Sequence, residues 1–432
     1  MKTYKSRLGV GLAMMVLSVA SHAQTSDVAA LEARVAELEA MIKQLVSKDS
    51  EAESAPAAKP MPAKAPDKGV SGETHTYKFG GYLRLDAKFS DYSAGDLAPG
   101  SAGTQFYIPG TIPVGTGSGE GPDLNVDAKA SRINFKSDHT LSSGDKVSTF
   151  LEMDFYLSPG GNERVSNSYN PRMRHAFVKY NDWLFGQTWS TFQDVSALPE
   201  TFDFIGVPEG TTFMRQTMVR YTKGNWEFAA ENPETTITPN GGGARIVSDD
   251  GAMPDLIARY THRLNNGYIK VAGLARQLDY DIGGASDSES SLSLTVSGKH
   301  AIGNNGDDIR WMVTTGSGVG RYLGLNTANG AVIDSDGNLE AIDQTGWFVA
   351  YRHIWNKKWR SSFMYSALSI DNETDLTGTG VTKDVYSAHV NLLYEPIPKL
   401  TLGGEIMFAE REIESGLDGD MTRVILSAKY AF

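Results

Sequence analysis

Four arginines, Arg172, Arg174, Arg215 and Arg220, bracket the stretch 192–214, which itself carries the acids Asp194, Glu200, Asp203 and Glu209. A guanidinium fork can donate two parallel hydrogen bonds to one carboxylate, so clustered arginine suits the capture of carboxylate-bearing molecules. The bracketed stretch also holds Phe202, Phe204, Ile205 and Val207. That is too much apolar bulk for a solvated loop, and packing against an inner wall would explain it. An acidic ledge facing a basic wall would set a transverse field across a constriction. Further basic residues recur on the polar face of alternating segments: Arg84, Lys88, Arg132, Lys136, Arg259, Arg276, Arg310, Arg352 and Arg360. Glu152, Asp154, Glu227, Asp308 and Glu405 share those faces. Some of these arginines must therefore be structural partners, and for any single one a wall-stabilising ion pair is the simpler role.

Chemistry of other kinds has little to stand on. With no cysteine, disulfides, thiol catalysis and Cys-ligated metals are excluded. The eight histidines are scattered, without His-x-His or HExxH spacing, and there is no Gly-x-Ser-x-Gly elbow. Ser387 and His389 lie on one strand face, a commonplace adjacency. The glycine string Gly115–Gly121 lacks dinucleotide spacing, and Asp334–Glu340 misses the calcium-loop ligand register. We expect no catalytic site, no metal and no cofactor. A membrane-bound hydrolase is the competing class. Formal net charge is −12, which argues against a nucleic-acid partner.

The elements that must position the arginines show a period of two. Phe79, Leu83, Leu85, Ala87 and Phe89 alternate with Tyr82, Arg84, Asp86 and Lys88, and the pattern recurs to the terminal Val424-x-Leu426-x-Ala428-x-Tyr430-x-Phe432. One greasy and one wet face suit a strand between lipid and water, which needs only about 9–11 residues to span. About sixteen such segments begin near residues 77, 128, 147, 172, 183, 215, 225, 255, 267, 291, 308, 341, 358, 383, 399 and 421. The register of Arg172–Tyr180 is ambiguous. Tight turns such as Asn181-Asp182 alternate with long polar connections at 91–125, 158–171, 233–253, 280–290, 316–340 and 371–382. We therefore expect an all-β transmembrane barrel of about sixteen antiparallel strands over 77–432. The rival, a soluble β-sandwich or β-helix, would have to bury some sixteen apolar faces in a core.

The N-terminus differs. Lys2, Lys5 and Arg7 precede an apolar run ending at Ala20, and Ser21-His22-Ala23 offers a cleavage site, so 1–23 reads as a secretory signal peptide, with a short anchor as the alternative. Val28, Leu31, Val35, Leu38, Ile42 and Leu45 form an a/d seam. Residues 24–46 thus read as a short α-helical coiled coil, or as a lone amphipathic helix on the body. The Ala/Pro/Lys-rich segment 47–76 reads as a linker.

The strings Arg174-His175-Ala176-Phe177-Val178-Lys179-Tyr180, Gly186-Gln187-Thr188-Trp189-Ser190, Arg215–Tyr221, Ala229–Glu234 and Pro254–Tyr260 resemble the DcaP-like group of outer-membrane porins. The likeness takes in the heptad segment and so nearly the whole mature chain; Gly-Gln-Thr-Trp-Ser is its most specific piece. It implies a homotrimer of sixteen-stranded barrels with a periplasmic coiled coil and a preference for small anionic solutes such as dicarboxylates. An unselective general porin is the alternative. A terminal aromatic, Phe432, resembles the signal read by the barrel-assembly machinery. The setting implied is the outer membrane of a Gram-negative cell, amid its lipid and lipopolysaccharide, with the N-terminal segment in the periplasm.

Overall fold

The computed structural model describes residues 73–158 and 166–432. The expected signal peptide, coiled-coil helix and most of the linker lie outside the described residues.

Strand β1, Thr74–Tyr92, opens the wall three residues earlier than the periodicity suggests. Strands β2 (Asp123–Asp127) and β3 (Arg132–Thr140) are two pieces of one wall strand, both paired with β1 and interrupted at residues 128–131. The wall continues through β4 (Lys146–Asp154), β5 (Arg172–Tyr180), β6 (Trp183–Trp189), β7 (Arg215–Lys223) and β8 (Trp226–Glu231). Two short loop strands follow, β9 (Thr235–Thr238) and β10 (Ile246–Ser248). Next come β11 (Asp255–Leu264), β12 (Gly267–Ile282), β13 (Ala285–Ile302) and β14 (Asp307–Ser317). After loop strands β15 (Ala331–Ile333) and β16 (Leu339–Ala341), the wall ends with β17 (Asp343–Ile354), β18 (Trp359–Asp371), β19 (Thr382–Ile397), β20 (Leu400–Ile413) and β21 (Asp418–Ala431).

Every wall neighbour is antiparallel, and β21 pairs back onto β1 from Tyr82↔Ala431 to Tyr92↔Met421. The sheet is therefore a closed barrel; counting β2 and β3 as one, it has sixteen strands. Closure removes the unpaired edge that an open sheet would expose. No helix among the described residues is long and apolar enough to cross a membrane.

The alternation sorts the two faces. Phe79 is 68% exposed and Leu83 62%, on the outside, whereas Asp86, Lys88 and Ser90 on the opposite face of the same strand are buried. Aromatic pairs ring the short-turn end: Trp183 with Tyr221 at 4.8 Å, Trp226 with Tyr260 at 4.7 Å, and Trp359 with Tyr394 at 4.3 Å between centroids. Such a girdle marks a membrane–water boundary. The terminal ring of Phe432 stacks on Phe79 at 5.9 Å, beside the seam where the barrel closes.

The expected long connection at 280–290 is corrected by the structure. β12 and β13 run on to a two-residue hairpin at Gly283-Gly284, with φ of +64° and +90°. Positive φ at both central positions matches the twist of the flanking strands, and glycine reaches it without strain. The polar composition of the segment hid two strand ends that project beyond the apolar band. The connections after β8 and β14 instead fold into a four-stranded sheet of β9, β10, β15 and β16, with Ile237, Ala331 and Leu339 packed on Leu278 and Tyr280 of β12.

Candidate functional site

The segment between β6 and β7 turns into the barrel. Its Ala197 and Val207 pack on Met312, Phe348, Ala350 and Met364, all on the inward faces of β14, β17 and β18. Its Phe202 joins Leu393, Met407 and Ile425 of β19–β21 and Tyr107 and Ile112 of the first long loop. Phe204 joins Phe106, Tyr156 and Phe213. Burying these rings is why the segment is apolar. Gly210 lies so close to β17 that a Cβ there would sit 2.1 Å from the carbonyl carbon of Trp347.

The four loop acids do not form an exposed ledge. Asp194 is buried, with Lys270 Nζ at 2.5 Å and Ser297 Oγ at 2.9 Å. Asp203 is buried and accepts from the backbone N–H of Tyr107 at 3.0 Å and of Ile205 at 3.2 Å. Glu209 accepts from Tyr107 Oη at 2.5 Å and Ser387 Oγ at 2.9 Å. Glu200 receives both arms of Arg360, at 2.7 and 2.8 Å. Burial raises the Asp203 and Glu209 carboxyls above their ordinary range. Burial acts the same way on Glu200, but the Arg360 hydrogen bonds and charge outweigh it and hold that carboxyl low. Asp194, Glu200 and Glu209 fasten the loop to the wall and Asp203 ties it to the first long loop, and a sequence pattern of loop acids gives no direction to distinguish fastening from display.

Wall side chains hold the loop backbone as well. Arg310 donates to the Leu198 carbonyl at 2.5 Å, Arg259 to that of Gln193 at 2.7 Å, and Arg84 to that of Phe202. Glu405 accepts from the Phe202 N–H at 2.8 Å. His389 Nε2 lies 3.0 Å from Ser387 Oγ, and its Nδ1 3.3 Å from Glu405. This resembles a nucleophile–base–acid line, but all three side chains are buried under the loop and Ser387 is already bonded to Glu209. The arrangement braces the loop.

The arginines divide by partner. Arg172 makes a two-pronged pair with Asp154 at 2.8 and 2.9 Å, and Arg174 reaches Glu152 at 2.8 Å and Asp154 at 2.7 Å. Arg132 joins them, 3.4 Å from Glu152, so three guanidiniums share two carboxylates. A register shift between Glu152 and Met153 bulges β5 at Arg174. Consecutive Arg174 and His175 are consequently both buried, which explains why no single alternation fits this strand. Across the barrel, Asp308 meets Arg310 and Arg352 at 2.7 Å each and Lys299 at 3.7 Å. Arg84 pairs with Asp86 at 2.8 Å, Arg259 with Glu227 at 2.5 Å, and Arg276 with Asp255 at 3.1 Å.

Arg215 and Arg220 separate, being five residues apart on one strand. Arg220 shares the inward face with Gln216 and Met218 and donates to Thr191 Oγ1 at 2.7 Å and the Trp189 carbonyl at 2.5 Å. Arg215 shares parity with exposed Thr217 and Val219 and sits at the strand's loop end, stacked on Trp189 at 4.5 Å and Phe213 at 5.6 Å. Its Nη1 is buried without a hydrogen-bond partner among the described residues. Lys429, opposite Arg84 in register and 5.6 Å from the Tyr82 ring, also lacks a carboxylate partner among them. Lys429 was available from the alternation of the last strand, and Phe213 from the stretch already expected to pack inward; Tyr107 and Tyr156 were not, since nothing local says that their loops turn inward.

A closed sixteen-strand antiparallel barrel, apolar outside, charged inside and carrying a loop folded into its interior, defines an outer-membrane barrel of porin architecture. The model of the DcaP outer membrane protein family matches residues 14–432, and the chain belongs to that family. Among solved structures it is similar to the outer membrane channel DcaP of Acinetobacter baumannii, with a TM-score of 0.68, 22% identity, and 84% of this chain and 99% of that one covered. It is also similar to an anion-selective porin from Comamonas acidovorans (TM-score 0.53, 10% identity, 83% and 100% covered). Salmonella typhi OmpF, solved with daunomycin, gives a TM-score of 0.53 at 11% identity, with 82% and 97% covered. No curated protein matches the sequence.

Proposed function

We propose that this outer-membrane barrel is a porin for facilitated diffusion of small anionic solutes, dicarboxylates among them. The carrying observation is the excess of cations over carboxylates at two places on the inner wall. Arg132, Arg172 and Arg174 share Glu152 and Asp154, and Lys299, Arg310 and Arg352 share Asp308. Arg220 and Lys429 add charge without a carboxylate partner among the described residues. A carboxylate that is already divided among several guanidiniums leaves N–H donors to spare, and those donors favour an anion in a narrow, low-dielectric passage. Weak successive contacts then let it leave as readily as it enters.

In this reading the loop at 192–214 narrows the lumen, its acids serve as fasteners, and Phe202 and Phe204 anchor it. The barrel works as a homotrimer with its N-terminal coiled coil in the periplasm, set among outer-membrane lipid and lipopolysaccharide. The barrel-assembly machinery reads the strand ending in Phe432. An unselective general porin would share the barrel and the loop but not the charge excess.

Planar-bilayer recording under a salt gradient tests the proposal. The expected reversal potential favours chloride over potassium, and succinate-like dicarboxylates should swell liposomes faster than neutral solutes of equal size. A cation-favouring reversal potential refutes the anion assignment.

A further inference from the structure

At the end of the barrel where the short turns lie, His75 of β1 and His139 of β3 stand directly opposite in register. Their Nδ1 atoms face each other at 2.7 Å, with ring centroids 5.0 Å apart and planes inclined at 57°. Two imidazoles in this pose must share a single proton between two lone pairs, since neither face-to-face lone pairs nor face-to-face N–H groups attract. The remote Nε2 of His75 points toward the Glu73 carboxylate, 3.7 Å away. A carboxylate on that side favours the tautomer with the proton on Nε2, which turns the Nδ1 lone pair toward His139, as a carboxylate behind a metal-binding histidine does. Tyr77 stacks edge-on against His139 at 5.4 Å and limits how that ring can turn. The His75 side chain is 42% exposed, so an ion and its remaining water ligands have access.

We propose that His75 and His139 form a cross-strand site for a borderline-soft divalent transition ion such as Zn2+ or Cu2+. Imidazole nitrogens suit these ions, whereas Mg2+ and Ca2+ prefer oxygen ligands. With Zn–N lengths of about 2.0–2.1 Å and a tetrahedral angle, the two nitrogens would stand about 3.3 Å apart. The exposed rings need to open by only some tenths of an ångström from the present spacing. Binding replaces the shared proton, which passes through solvent to the Nε2 of His139, so that both rings bind as neutral Nε2–H tautomers, and water completes the coordination shell. The ion would clip the first residues of β1 to β3 at the mouth of the barrel, away from the interior loop and its arginines.

The test uses the full mature protein, purified without a histidine tag, in detergent. Zn2+ titration calorimetry should give one ion per chain, and Cu2+ added at one equivalent should give an electron paramagnetic resonance spectrum with two nitrogen couplings. His75→Ala and His139→Ala should each weaken Zn2+ binding at least tenfold and reduce the spectrum to one nitrogen or none. Glu73→Gln should weaken it by about tenfold, because the carboxylate behind the His75 ring is lost. His262→Ala, an exposed histidine on another strand, should change neither readout. Bilayer conductance of the His75 and His139 variants should match wild type, which shows that the barrel has formed. Undiminished Zn2+ binding in His139→Ala, or a wild-type Cu2+ spectrum with a single nitrogen, overturns the proposal.

Discussion

The hydroxyl of Tyr107 donates to the carboxylate of Glu209 at 2.5 Å, across 102 residues of sequence, with both side chains buried. Tyr107 belongs to the loop after β1 and Glu209 to the loop inside the barrel, and Ser387 of the wall completes the junction. Two loops and a strand thus meet at one carboxylate.

That junction sets a pH dependence. Burial holds the Glu209 carboxyl above its ordinary range despite the hydrogen bonds it accepts. A carboxyl raised in the folded state stabilises the fold fully below its unfolded value and loses that contribution as pH rises through the folded value. Glu209→Gln removes this titration while keeping a polar side chain of the same shape. We expect the heat resistance of wild type, read by gel mobility after graded heating, to fall relative to Glu209→Gln as pH rises above the ordinary carboxylate value of about 4. A difference that stays constant as pH rises contradicts the assignment.

Glu200 works in the opposite sense. Its pair with Arg360 keeps the carboxyl charged, and Arg360 also reaches Glu395 at 3.0 Å. Glu200→Gln frees one arm of Arg360 and removes a negative charge beside the interior loop. The chloride-to-potassium permeability ratio should rise on the order of twofold, as expected when one charge near a confined path is neutralised. An unchanged ratio would place Glu200 away from the conducting path.

Arg220 and Lys429 form no direct ion pair with a carboxylate among the described residues. Arg220→Gln and Lys429→Gln should each lower anion preference and slow dicarboxylate flux in liposome swelling, with little change for neutral solutes. Arg172→Gln differs, because it releases the buried Asp154 from its two-pronged partner. It should cost both selectivity and heat resistance, the latter by less than the ~3–5 kcal/mol of a fully broken buried pair, because Arg174 stays on Asp154.

Gly210 tests the docking of the loop without altering charge. A methyl group there meets the Trp347 backbone at 2.1 Å, and backbone cannot swing aside. Gly210→Ala should destabilise the docked loop by about 1–3 kcal/mol and add open-channel noise or a larger conductance step in bilayers. Wild-type conductance and quiet traces in that variant would show that the loop tolerates displacement.

The barrel was legible because its rule is local. Lipid outside and water inside force every second residue to be apolar, so strand after strand announces itself, and β5, β6, β7, β11 and β12 begin where the alternation begins. The same rule failed where lipid is absent. The polar ends of β12 and β13 extend past the apolar band and read as loop, and the bulge at Arg174 broke the period in β5. Sequence alone determined which residues are charged and that they stand on the wet face. Only the tertiary structure decided what each one meets: that Glu209 turns to the wall and Asp203 to the loop after β1, that Arg215 and Arg220 part company, and that Asp308 is shared by three cations. The reason is physical. Face is set by a residue's neighbours along the chain, whereas partnership depends on barrel closure and on how an inward loop lies against strands more than a hundred residues away.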